Sequence, residues 1–158
     1  MQSFLPYADF AASARVLDAR RLGKQRVETI QILRGLTIST YGWRHHPAVK
    51  MWAGYEEGLV RYGLEICAAW TASGRADTCQ LTLLTDLKSG CGLDHVRTQQ
   101  ALAEAGDLPP WLGDEDFHRS HRSALLSKDP QYYGALFDDP PELPYVWPAS
   151  DRRPCHQG

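Results

Sequence analysis

The chain has 158 residues, 43% of them hydrophobic and 23% charged, with a formal net charge of −2. That length buries a sizeable core in one domain, and the composition excludes a disordered chain and a protein coated in basic charge. No window approaches about 18 apolar residues and the start "MQSFLPYADF" has no basic n-region, so a cytoplasmic protein without a membrane span is expected.

Pro6 predicts a short extended arm before the first helix, which Asp9 or Ser13 can cap. "ADFAASARVL" is rich in helix formers. "RRLGKQRVETIQILRGL" sets Leu22, Val27, Ile30 and Leu33 against Arg20, Lys24 and Glu28, the pattern of an amphipathic helix with a charged outer face. "TYGWRHHP" breaks it. Pro47 then opens a predicted helix that runs through Trp52, Leu59, Tyr62, Ile66 and Trp70 to Gly74 and forms the central pillar of the core.

From Arg75 to Gly106 the pattern weakens. "CQLTLLTDLKSG" reads as helix or strand, and "LDHVRTQQALAEAG" as a helix stopped by glycine. "DLPPWLGDEDF" is a loop whose Asp114 caps the helix "FHRSHRSALLSKD". "DPQYYGALF" adds a short helix, and residues 138–158 form a proline-rich tail that wraps the surface. The expected fold is mostly α, a single compact helical domain over 1–158 with an N-terminal arm and a C-terminal tail. The four cysteines, at 67, 79, 91 and 155, form no C-x-x-C pair and read as reduced thiols that pack.

Two basic clusters stand out. One holds Arg15, Arg20, Arg21, Lys24 and Arg26 against the single acid Asp18; the other holds His118, Arg119, His121, Arg122 and Lys128 and no acid. A charge run is ordinarily a solvated face, yet Arg20 with Lys24 and His118 with Arg122 are like-charged i,i+4 pairs, which repel unless an anion from outside the chain meets them. Backbone phosphate fits that description. Between the clusters, Arg44, His45 and His46 sit beside Tyr41, Trp43 and Trp52, cations beside rings that can stack on a base. Trp52, in helical register, reads as core; Trp43, in a loop, fits core or stacking equally. Six histidines raise a metal-dependent nuclease as an alternative, with His118 and His121 at i,i+3, but there is no H-E-x-x-H and no metal or other cofactor is expected.

The blocks "FLPYADFAASARVLDARRLGKQRVE", "GWRHHPAVKMWAGYEEGLVRYGLEICAAW", "PPWLGDEDFHRSHRSALLSKDPQYYGALF" and "LPYVWP", in that order, resemble the cellular and viral branch of the pyrimidine-dimer DNA glycosylase family. The resemblance covers most of the chain, with 75–106 as its least matched, insertion-like segment. It implies an all-helical DNA repair glycosylase and abasic-site lyase. Such an enzyme, expected as a monomer on double-stranded DNA with a damaged base, attacks the sugar C1′ with the chain's α-amino group and forms an imine without a cofactor. An α-amine titrates near pH 8, about two units below lysine, and so supplies neutral nucleophile at neutral pH.

Gln2 is too bulky for removal of the initiator methionine, which leaves the amine of Met1. An ungapped carry-over of the family's catalytic glutamate falls on Gly23, so the acids that remain nearby are Asp18 and Glu28, the latter also i+4 from Lys24 as in an ordinary salt bridge. Phosphate contact is expected of Arg20, Arg21, Lys24, Arg26, Arg119 and Arg122 in the two basic clusters, with His118, His121 and Lys128 beside them, and the site lining of Arg44, His45 and His46. The alternative from another class is a non-catalytic binder of damaged or structured nucleic acid.

Overall fold

Helix boundaries fall where capping chemistry puts them. In the computed structural model, which describes residues 1–157, Asp9 accepts from Ala12 N–H at 2.7 Å and starts α1 (Phe10–Val16). The chain breaks at Leu17 and Asp18, and α2 (Ala19–Thr37) follows. The helix expected from Pro47 to Gly74 is two helices, α3 (Pro47–Lys50) and α4 (Glu56–Ala72). The interruption centres on Gly54, whose φ of +80° no helix accommodates and where a Cβ would meet Arg153 O at 2.8 Å.

The ambiguous segment resolves as α5 (Cys79–Cys91), packed on both α2 and α4 and therefore part of the common core. The next helix, α6 (Gln99–Glu104), is shorter than expected, because Thr98 supplies the cap at 3.1 Å and the residues before it stay extended or bent. Asp114 caps α7 (Glu115–Lys128) as expected, and Asp129 caps α8 (Pro130–Tyr133). A 3-10 turn (Cys155–Gln157) ends the description, and no strand occurs among the described residues. The fold is mostly α, and Trp52, Tyr62, Leu33, Ile66 and Leu83 lie in one core beneath α1, α2, α4 and α5.

Two assignments along α2 reverse. Val27 is exposed and Glu28 is only 8% exposed, because the helix turns Glu28 toward the N-terminal arm. Cys91 and Cys155 form a disulfide, with Cα atoms 5.6 Å apart and a sequence separation of 64, a pairing that no local spacing announces. Only Cys67 and Cys79 are the buried free thiols expected.

The arm has no helix or strand partner, so its backbone polar groups must be met by side chains. Gln2 N–H donates to Glu28 Oε2 (3.1 Å), Ser3 N–H to Gln2 Oε1 (2.9 Å), Phe4 N–H to Gln25 Oε1 (2.9 Å) and Leu5 N–H to His121 Nδ1 (2.9 Å). In return Gln25 Nε2 donates to Gln2 O (2.9 Å), Tyr62 O–H lies 2.8 Å from Phe4 O, His118 Nδ1 meets Leu5 O at 2.8 Å, and Arg122 donates to Pro6 O at 2.9 Å.

His118 and His121 were expected at a phosphate-facing surface. Both are buried instead, and they hold the two polar groups of the Leu5 peptide between them. Burial, aided by the neighbouring His118, pushes the His121 pKa down to about 3, and burial also lowers that of His118. A histidine whose folded pKa lies below its unfolded value of about 6.5 stabilises the fold at neutral pH. That contribution is lost as pH falls below 6.5, because the unfolded chain then binds the proton first. Between pH 6.5 and 5 the unfolding free energy should fall by up to about 1.4 kcal/mol per pH unit for each such histidine. Urea titrations across that range should give a shallower slope for His121→Gln, and an unchanged slope would remove His121 from this role.

Gly23 faces Trp70, whose ring atoms would stand 2.9 Å from an added Cβ. Arg26 and Arg75 lie over the same indole at 4.2 and 4.8 Å, and its Nε1–H donates to Ala76 O, so the ring has little room to retreat. Gly23→Glu should therefore lower stability by about 1–3 kcal/mol, read as a drop in Tm, and a glutamate there would not reach the N-terminus. An unchanged Tm would show that Trp70 yields.

Candidate active site at the N-terminus

Because α2 turns Gln25 and Glu28 toward the arm, the chain terminus lies over one open cavity. It measures about 300 Å³ and is walled by Met1, Gln2, Phe4, Arg20, Arg21, Lys24, Gln25, Glu28, Lys128 and Tyr145. Glu28 Oε2 accepts from Gln2 N–H and, at 2.8 Å, from Gln25 Nε2; Oε1 faces Lys24 Nζ at 3.5 Å. A nearly buried carboxylate thus stands one residue from the terminal amine, held in place by two N–H donors and with one oxygen toward the cavity side.

His46 belongs to the same neighbourhood. Burial and the positive charge of the chain terminus lower its pKa, while Glu28 pulls the other way. Its Nδ1 accepts from Ala48 N–H at 3.0 Å and caps α3, which leaves the ring proton on Nε2. Rings continue outward from here: Tyr145 in the cavity wall packs on Trp147, Trp147 on His46, and His46 on Trp43, with centroids 5.2–5.9 Å apart. Trp43 is 51% and Trp147 39% exposed, whereas Trp52 is fully buried as its register predicted. Tyr145 has its pKa raised by burial and further by the Glu28 charge, with the Gln2 side chain opposing.

The second acid occupies a different environment. Asp18 bonds Arg21 Nη1 at 3.2 Å and the Tyr133 hydroxyl, and it does not line the cavity. Burial works against its charge, but the hydrogen bonds from Tyr133 and Arg21 outweigh that and hold the carboxyl below its ordinary range.

The basic residues divide into four groups. Arg20, Lys24 and Lys128 line the cavity with exposed side chains, and Arg21 lines it while bonded to Asp18. Arg119 is exposed on α7 and lines no described cavity. Arg26 and Arg122 are committed internally, Arg26 to Asp77 at 2.6 Å and Arg122 to Asp139 at 2.9 Å and to Glu115. Arg44 and His45 line a separate cavity, whose lining does not include His46. As for a metal, the one group of three close potential ligands among the described residues is Glu56, Cys91 and Cys155, two of which are the disulfide. His118 and His121 spend three of their four ring nitrogens on the backbone of Leu5 and Gly113.

Gln25 and Tyr145 were not singled out in the sequence. Gln25 has no local signal, since its partners lie in the arm and on α4. Tyr145 reaches the cavity from more than a hundred residues downstream, inside a proline-rich run that gives no periodicity.

No curated protein and no solved structure matches the chain. A family model described as pyrimidine dimer DNA glycosylase matches residues 1–83. That span supplies the arm, α1, α2, the loop with His46, and α4, and with them every acid and histidine described around the cavity. The match covers just over half of the sequence, and the chain belongs to the pyrimidine dimer DNA glycosylase family.

Proposed function

We propose that this protein is a DNA repair glycosylase with abasic-site lyase activity that works through its own terminal amine. The carrying observation is the single cavity in which the chain terminus, a nearly buried carboxylate and exposed cations meet. In the proposed reaction the neutral amine of Met1 attacks C1′ of the damaged nucleotide as the glycosidic bond breaks and the base departs with the bonding electrons. Loss of a proton from the attached amine and opening of the sugar ring, in which the C1′–O4′ bond breaks and O4′ takes a proton, give an imine between the chain and the sugar. Proton abstraction at C2′ then expels the 3′ phosphate by β-elimination, and hydrolysis of the imine releases the chain.

Glu28 is the acid this reading uses. Its Oε1 side faces the cavity, where a negative charge offsets the positive charge that grows on the sugar. Asp18, tied to Arg21 and Tyr133 outside the cavity, serves to hold the start of α2. Arg20, Lys24 and Lys128 are the residues this reading places on phosphates, with Arg119 as a flanking contact. The internal pairing of Arg26 and Arg122 makes them poor candidates for that task, since a phosphate would have to displace Asp77 or Asp139. The non-catalytic alternative drew its support from the lack of an acid at Gly23, and Glu28 beside the terminus supplies one from the next turns of the same helix.

Borohydride trapping on dimer-containing and abasic duplexes should leave a covalent adduct whose peptide map places the sugar on Met1. Acetylating the terminus should abolish it while sparing most binding, and chelator should leave it intact. Glu28→Gln should lower single-turnover cleavage by about 100-fold or more with little change in affinity, whereas Asp18→Asn should act through stability. The reading fails if wild-type protein binds these duplexes and forms no adduct, and the assignment of the acid fails if Glu28→Gln cleaves at the wild-type rate.

A further inference from the structure

A second cavity, of about 380 Å³, lies between the C-terminal half of α2, α3 and the end of the tail. Its floor is apolar, from Leu36, Val49 and Pro154, and its rim carries Arg44, Lys50, His45 and His156. No carboxylate lines it, although the chain has more acids than lysines and arginines. Neither Arg44 nor Lys50 forms an ion pair among the described residues; Arg44 spends Nη1 on Ser39 O at 2.8 Å and Nε on His45. This contrasts with Arg26, Arg34, Arg97 and Arg122, each of which meets a carboxylate.

The two cavities open on one face of one helix. Glu28 and Gly35 are seven residues apart on α2, within about 20° of two full turns, which sets the second cavity about 10 Å further along the axis. From Arg20 to Ile38, the outer limits of the two linings along this helix, the distance is about 27 Å. The phosphates of one strand of duplex DNA recur about every 3.4 Å of helix axis, so these distances correspond to about 3–8 nucleotides. The exposed Trp43 ends the aromatic ridge that starts in the first cavity, and the next residue in the chain, Arg44, is on the rim of the second.

We infer that the second cavity seats a sugar–phosphate unit of the same DNA duplex, about 3–8 nucleotides from the lesion on one side only, with the deoxyribose on the apolar floor and the phosphate against Lys50 and Arg44. This rests on the protein binding duplex DNA through the first cavity. An apolar floor inside a cationic rim suits a sugar–phosphate better than a free inorganic anion, which would leave the floor uncovered. The disulfide belongs to the same construction, since Cys155 fixes the residues on either side of it, Pro154 and His156, as the outer wall.

The test uses fluorescence anisotropy with three duplexes that carry one central abasic-site analogue: a full-length one, and two cut to two base pairs beyond the lesion on one side or the other. Wild-type protein should lose about fivefold to tenfold in affinity at 100 mM salt when one flank is removed and almost nothing when the other is. Lys50→Ala, at an exposed position, should weaken the full duplex by the same factor and lower its salt slope by about 0.9, yet match wild type on the duplex lacking the sensitive flank. Lys50→Arg should restore affinity, and Lys88→Ala, on α5 and lining no described cavity, should leave it unchanged. Equal loss on all three duplexes, or an unchanged salt slope in Lys50→Ala, would overturn the inference while leaving the first cavity's role standing. Failure of the wild type to bind any duplex would overturn both.

Discussion

The arm from Gln2 to Leu5 has no helical partner, so its backbone polar groups, Ser3 O apart, are met by side chains, and the rest of the molecule is arranged around that need. An unpaired buried peptide group costs about 1–3 kcal/mol, so an arm of this length would not stay buried without its partners. Gln25 is the residue at the centre. Its amide donates to both Gln2 O and Glu28 and accepts from Phe4 N–H, with the Tyr62 hydroxyl at 2.7 Å from the same oxygen. A carboxylate at position 25 could accept but not donate, and a leucine could do neither. The arm's path therefore fixes both where the chain terminus lies and which way Glu28 points.

The charge distribution follows from the same economy of partners. Positive residues that looked alike along the sequence have separate fates. Arg26 and Arg122 close internal ion pairs with Asp77 and Asp139, acids of irregular segments, while Arg20, Lys24 and Lys128 stay in solvent around the terminus. The like-charge spacing of Arg20 and Lys24 does mark an exposed cationic surface, even with Glu28 3.5 Å from Lys24. That of His118 and Arg122 does not, because a neutral buried imidazole does not repel a guanidinium that already has two carboxylates. Spacing along a helix reveals which charges are neighbours; it does not reveal which counter-charges the fold brings from elsewhere.

Much of the architecture was legible because its signals are local. Asp9, Asp114 and the proline of α3 announce their helices through contacts two or three residues away, and the buried register of Trp52 and Tyr62 follows from helical period. The break at Gly54 was not legible, since glycine is tolerated within helices and its left-handed backbone is required here by the tail crossing above it. The disulfide and the inward turn of Glu28 escaped for a related reason. Each depends on a partner 64 or 26 residues away, and Glu28 in isolation looked like the acid of an i,i+4 pair with Lys24, which it also is. Of the candidate site, the nearby cations and the two acids could be named from the sequence; that Glu28 and not Asp18 lies beside the terminus needed the arm in place.

The stretch from Phe117 to Asp129 gives the sharpest case of chemistry mistaken for another kind. Its polar residues are placed to satisfy two irregular segments at once. His118, His121 and Arg122 serve the arm, while Ser120, Ser123 and Ser127, spaced by three and four residues along one side of α7, accept from Val146, Leu143 and Glu142 N–H of the tail at 2.8–3.2 Å. A helix with no strand to offer thus acts as the hydrogen-bonding partner of two extended segments. Arm and tail meet beside the terminus because both are docked on α7, which is how Met1 and Tyr145, from opposite ends of the chain, come to share a cavity. The positive charge that dominates this stretch in the sequence is, for the most part, the by-product of donors chosen for backbone carbonyls and of imidazoles chosen because one ring can accept where its neighbour donates.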